Sequence, residues 1–196
     1  FKIIKKCTKV LIFTKFDFLP PKKKRYLLFD NEGSRIPLSY LPPKKTEILF
    51  TRLEKLNLFI LFKNFIFLKF TALDYFQSYI DFVNPDFILT IIDNNTVFYK
   101  LKKRKKKQIK IAIATTWRSA VDDYHLFTSK NSKVTVIENK NYNVDIILSI
   151  NKSIGSLLKK LNAKKVLAVG SFRSNHEKIT KLKKYGFLYI SSYADL

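Results

Sequence analysis

Residues Asp86–Ala114 read DFILTIIDNNTVFYKLKKRKKKQIKIAIA. An apolar run, Asp86 to Ile92, ends in the turn-forming Asp93-Asn94-Asn95. A helical segment, Val97 to Lys107, follows, with Asn95 placed to cap it, and a second apolar run, Lys110 to Ala114, closes the unit. Two continuous apolar strands joined by a helix make a parallel βαβ unit, because strands covered on both faces lose the polar alternation of a half-exposed sheet. The expected fold class is therefore α/β: a Rossmann-like, doubly wound domain with a mostly parallel sheet.

The same pattern extends in both directions. Upstream lie candidate strands at Val10 to Phe13, at Arg25 to Asp30 (RYLLFD), which ends in the turn Asn31-Glu32-Gly33-Ser34, and at Glu47 to Thr51. Downstream they fall at Asp145 to Ile150, Lys165 to Val169 and Phe187 to Ser191. Helices are expected at Leu56 to Leu68, at Thr71 to Val83 before the Asn84-Pro85 break, at Ser153 to Leu161 with Ser153 as cap, and at His176 to Lys184 before Gly186. No internal repeat is present. Four regions follow: a basic lead-in over 1–24 with room for one strand, a Rossmann-like domain over 25–172, a polar linker over 173–185, and the first strand of a second domain over 186–196. The strand at Phe187 opens an element just before the sequence ends, and the 196 residues contain no methionine. Both features read as a first domain plus the opening of a second.

Composition sets the outer limits. Lys plus Arg number 38 against 15 Asp plus Glu, a formal net charge of +23, yet 46% of residues are hydrophobic and 15% aromatic. That is too apolar for a disordered basic tail. Cys7 is the only cysteine, so neither an intrachain disulfide nor a cysteine metal cage can form. Only six of the basic residues are arginine, and a chain so rich in Lys, Ile, Phe and Asn has the stamp of an AT-rich genome. Lysine drift, attraction to phosphate backbones and attraction to anionic lipid all account for the charge. The basic start lacks a signal-peptide cleavage site, and Lys63 and Lys69 interrupt the most apolar stretch before it reaches the roughly 18 residues of a membrane span. A cytoplasmic protein, with peripheral contact at the inner face of the plasma membrane, is the expectation.

Ligands of open parallel sheets bind beyond the carboxyl ends of the strands, which ranks the residues there first. Asp93, Asn94 and Asn95 could bond sugar hydroxyls, or simply form a turn and cap. After KIAIA come Thr115 to Ser119, where Trp117 offers a platform for a sugar face beside the guanidinium of Arg118. Gly170, Ser171, Phe172 and Arg173 follow KVLAV. Asp30 to Ser34 is too generic a turn to assign. His125, near Asp122 and Asp123, and Asp93 are the candidates for a catalytic base, although the catalytic group is not identified. No glycine-rich phosphate loop is present, and two histidines with one distant cysteine offer no metal site. The expectation is no metal and no resident cofactor.

Two further stretches carry alternatives. Lys100 to Lys107 (KLKKRKKK) sits where the helix after Asn95 is expected to end, as a solvated face complementing the helix dipole or as a dock for anionic lipid. Leu56 to Phe70 (LNLFILFKNFIFLKF) reads as a buried core helix or a membrane-contacting one. A nucleic-acid surface would interleave arginine and aromatic residues, whereas here the aromatics lie in the apolar elements. A basic nucleic-acid module is the reading from another class.

LTIIDNNTVFYKL (Leu89 to Leu101), KIAIATTWRS (Lys110 to Ser119), VDIILSINKSIGSLL (Val144 to Leu158) and VLAVGSFRSN (Val166 to Asn175) together resemble the N-terminal half of bacterial surface carbohydrate biosynthesis transferases of the GT-B glycosyltransferase type. The resemblance implies two Rossmann-like domains facing a cleft, the first taking a sugar or lipid-linked saccharide acceptor and the second, absent here, a nucleotide-sugar donor as substrate. It implies that Asp93, Asn94, Asn95, Trp117, Arg118, Ser171 and Arg173 line that cleft. It also implies that this portion alone is inactive. Ala114, Thr115 and Thr116 stand where the family tends to carry a Gln-Asn-Gly turn. Thr116-Trp117 is also similar to the glycerophosphate transferases of teichoic acid synthesis.

Overall fold

The computed structural model describes residues 13–91, 95–114, 127–130, 133–136 and 140–172. Six parallel strands form the main sheet: β2 (Tyr26–Phe29), β3 (Thr46–Leu49), β5 (Phe87–Thr90), β6 (Ile109–Ile113), β9 (Val144–Ser149) and β10 (Ala163–Ala168). Their spatial order is β3-β2-β5-β6-β9-β10. The chain thus steps outward from β2 to β3, crosses back over β2 to β5, and continues in one direction. This is the doubly wound, Rossmann-like arrangement, with its change of direction between β2 and β5. Six expected strands agree with these to within two residues at each end. The expected strand at Val10 to Phe13 falls mainly outside the described residues, and a short strand β1 (Lys15–Asp17) pairs in parallel with β4 (Lys55–Asn57). An antiparallel hairpin, β7 (Phe127–Lys130) with β8 (Lys133–Val136), was not expected.

Helices α1 (Arg35–Tyr40), α2 (Leu58–Ile66), α3 (Ala72–Val83), α4 (Thr96–Lys100) and α5 (Lys152–Leu158) connect the strands. Four start on a side-chain cap. Asn57 accepts from Ile60 N, Asn95 from Val97 N and Asn151 from Ile154 N, while Thr71 and Asp74 form a reciprocal capping box. Asn151, rather than Ser153, is therefore the cap of α5. Asn84 ends α3 at φ 52°, a left-handed conformation that asparagine tolerates, and Pro85 prevents continuation.

One face of the sheet supplies the core. Leu27, Phe29, Ile88, Ala112 and Ile147 are buried against Phe76, Ile80 and Val83 of α3, Phe98 and Tyr99 of α4, and Ile154 and Leu158 of α5. Helix α3 runs antiparallel to β2, because Phe76 stacks edge-on against Phe29 at the strand's end while Val83 O accepts from Lys24 N ahead of its start.

The wholly buried Lys110 sits on this same face, where its ammonium donates to Leu101 O at 2.7 Å, Asn143 O at 2.8 Å and Asn143 Oδ1 at 3.0 Å. Burial pushes it down from 10.5 to about 7, against the upward pull of Asp145. Asp145 in turn accepts from Lys110 N, Lys103 Nζ and Lys164 Nζ; burial raises its carboxyl, and those donors override it, holding the group below its ordinary value.

Two helix expectations are corrected. The helix expected over Val97 to Lys107 stops at Lys100, since Leu101 turns to extended backbone and its carbonyl is taken by Lys110. The basic tract meets the end of that helix through its first residue, Lys100, alone. The rest of the tract descends along α3 to the amino edge of the sheet, where Arg104 donates to Asp81 O and Lys105 to Asn84 O, so these cations complement the carboxyl end of α3. The buried-core alternative for Leu56 to Phe70 holds on one side only: Ile60 is buried and Leu56 and Phe59 pack against the core, whereas Phe62, Phe65, Phe67 and Phe70 are all exposed.

Candidate functional site at the carboxyl edge of the sheet

Three loops converge at the carboxyl edge beside the change of direction. The first follows β2. Asp30 takes φ 88°, and its backbone N donates to Leu49 O at 2.9 Å, tying the end of β2 to that of β3. Its buried carboxylate accepts from Glu32 N at 2.9 Å and from the hydroxyl of Thr51, in the loop after β3. Arg52, from that second loop, places Nε 3.4 Å from Asp30 and pairs through Nη2 with Glu32. The half-exposed guanidinium is thus held by two carboxylates.

Gly33, at φ 70°, brings the first loop against the third. A β-carbon there would lie 2.1 Å from Ile91 Cδ1, immediately after β5. Only glycine combines that backbone with so close an approach. Thr90 of β5 adds a hydroxyl donation to Phe29 O at 3.2 Å. The result is a rim of Asn31, Glu32 and Arg52 over a buried Asp30 and Ser34. Such carboxylate, amide, hydroxyl and guanidinium groups match the alternating donors and acceptors of a sugar and the charge of a phosphate.

Of the residues singled out in the sequence, Asn95 caps α4, its Oδ1 accepting from Val97 N at 3.0 Å. Ser171 follows Gly170, which takes φ 78° just past β10, so a sharp turn is what glycine supplies there. The next residue, Phe172, packs its ring on Tyr40 of α1 with centroids 5.5 Å apart, which joins the segment after β10 to the helix that follows the Asp30 loop. Asp93, Asn94, Trp117, Arg118, His125 and Arg173 lie outside the described residues, as do the expected helix at His176 to Lys184 and the strand at Phe187 to Ser191. Thr51 and Arg52 were missed, and the turn Asp30 to Ser34, which lies past a strand end, had no assignment from the sequence. Two signals pointed to them: a DNEGS turn directly after an apolar strand, and one of the six arginines directly after another.

No curated protein and no solved structure matches the chain. Residues 111–195 match the model of a family described as "putative O-antigen biosynthesis protein". The match begins within β6 and takes in Trp117, Arg118, His125, Ser171 and Arg173, and it supports a place for the chain in surface polysaccharide biosynthesis.

Proposed function

We propose that the chain supplies the acceptor-side domain of a GT-B-type glycosyltransferase, which moves a sugar from a nucleotide-activated donor during surface polysaccharide biosynthesis. The observation that carries this reading is the contact of Gly33 with Ile91, which makes one unit of the loops after β2 and β5 where a doubly wound sheet forms its binding crevice. The family match over 111–195 gives the biological setting. In this reading Asp93, Asn94 and Asn95 bond acceptor hydroxyls, Trp117 packs on a sugar face, and Ser171 borders the crevice. Arg118 and Arg173 hold phosphate or an acidic sugar. Fixed cations aimed at a departing diphosphate stabilise its charge directly, so this scheme places no metal there. The nucleotide sugar is a substrate, bound mainly by the partner domain of such an enzyme.

Disrupting the reading frame in its host and resolving the extracted surface polysaccharide by gel electrophoresis tests the role. Loss of the long polysaccharide ladder, restored by the intact gene and not by Arg118→Ala at equal protein level, is expected. A ladder unchanged by disruption would refute it.

A further inference from the structure

Helix α2 is apolar on two sides. The side it turns to the fold carries Ile60 and Phe59, whose ring packs edge-on against Phe82 of α3 at 5.2 Å, with the buried Asn64, whose Oδ1 accepts from Ser78 Oγ of α3 at 2.6 Å, and begins at the cap Asn57, whose amide donates to Leu19 O. Its outer side carries Leu61, Phe62, Phe65 and Ile66, a single stripe at helical spacing, and the chain continues through Phe67, Leu68 and Phe70 before α3 begins. Phe62 and Phe65 are each 67% exposed, Leu68 78% and Phe70 69%. An amphipathic helix normally turns such a stripe to the core. A contiguous exposed patch of this size marks a surface that meets another apolar phase. Between the stripe and the following turn runs a groove of about 520 Å³, lined by Phe62, Phe65, Lys69 and Phe70 among others.

Charge selects the occupant. A second copy would bring another net +23 toward the first, whereas an anionic leaflet attracts that charge. The patch has cations of its own: Lys63 Nζ stands 4.2 Å from the ring centre of Phe82 at its base, and Lys69 is exposed between Leu68 and Phe70. Phenylalanines with interspersed lysines are the composition of an element that lies in the headgroup region. At nine residues α2 is too short to span, and no helix among the described residues is long and apolar enough to cross a membrane. The basic tract Lys100–Lys107 is a poorer dock, since Lys103, Arg104 and Lys105 are engaged with Asp145, Asp81 O and Asn84 O.

We infer that the face formed by Phe62, Phe65, Phe67, Leu68 and Phe70, with Lys63 and Lys69, docks the protein on an anionic lipid bilayer. Its place in the fold adds an orientation. The patch leads directly into Thr71, the cap of α3, and α3 runs from the carboxyl edge of the sheet to the amino edge. Docking therefore brings the carboxyl edge toward the lipid, which on the function proposed above would present the crevice to a lipid-linked acceptor. The docking itself does not depend on that function.

Co-sedimentation of the 196-residue chain with vesicles of phosphatidylcholine and phosphatidylglycerol in a two-to-one ratio, against phosphatidylcholine alone, tests the inference. The native chain is expected to bind the anionic vesicles at least about tenfold more tightly. The double variant Phe65→Gln/Phe67→Gln should lose about tenfold or more of that binding with an unchanged circular dichroism spectrum, because both side chains are already exposed. Undiminished binding by the double variant overturns the inference. So does loss of binding on Lys106→Glu/Lys107→Glu with the aromatic variant unaffected, which would assign docking to the basic tract. A chain that self-associates through this face, dissociates in the double variant and ignores vesicles would assign it to a second copy.

Discussion

Gly33 and Ile91 meet where the chain reverses direction across the sheet: a β-carbon on Gly33 would lie 2.1 Å from Ile91 Cδ1 and 2.9 Å from Cγ1. The loop after β2 thereby rests on the first residue past β5, so the rim around Asp30 has a fixed floor. Replacing Gly33 by alanine forces a left-handed backbone on a residue with a β-carbon and displaces a nearly buried isoleucine. Gly33→Ala should cost about 2 kcal/mol, read as a lower urea midpoint at constant slope. Val at the same position should cost more.

Asp30 and Arg52 share an ion pair of unequal importance. Asp30 is buried and accepts from Glu32 N and the Thr51 hydroxyl, so Asp30→Ala strands two donors and should cost about 2–3 kcal/mol. Arg52 is half exposed, and solvent screens its pairing, so Arg52→Ala should cost about 1 kcal/mol or less. Equilibrium unfolding of the two variants side by side gives the ranking.

Lys110 makes stability depend on pH in a defined direction. The folded chain releases this proton near pH 7 and the unfolded chain near 10.5, so between those values the unfolded state holds a proton that the folded state lacks. Stability should therefore rise with pH across that window, on the order of 1 kcal/mol per unit from this group. Lys110→Met should abolish that part of the slope. It should also lower stability throughout by about 2–4 kcal/mol, because Asn143 O loses the ammonium donor and Leu101 O keeps only the Asn143 amide at 3.2 Å. Unfolding midpoints at several pH values, native against variant, separate the two effects.

Thr71 links the exposed apolar turn to α3 through its capping box with Asp74. Thr71→Ala should cost about 1 kcal/mol, and Thr71→Ser should restore most of it. Thermal denaturation followed by circular dichroism suffices.

The strands were legible because continuous apolar runs such as YLLF, FILT and IKIAI have one good use, in a sheet covered on both faces. Their spatial order was not, since apolar runs carry no label for their neighbours. Helix lengths failed where long-range contacts override local preference. Lysine is a good helix former, so Val97 to Lys107 read as one helix, but Leu101 leaves it to meet Lys110 from a strand not yet formed in sequence. In α2 Phe59 and Ile60 face the core while a second apolar side, with Phe62 and Phe65, faces out, so a pattern that normally points to a core was only half fulfilled. Among site residues, Asn95 was legible as a cap because asparagine before a helix has a local partner. Arg52 was not, because its partners Asp30 and Glu32 lie some twenty residues away in a separate turn.

On the function proposed above, the carboxyl edge of this sheet takes a saccharide. Amide chemical-shift mapping of the isotope-labelled chain, titrated with oligosaccharide released from the host's surface polysaccharide, tests it most directly. Shifts clustered at Asp30 to Ser34, Asn95 and Gly170 to Ser171, and weakened in Gly33→Ala, are the expected result. Shifts confined to the amino edge around Lys105 and Gln108, or none at saturating oligosaccharide, would contradict it.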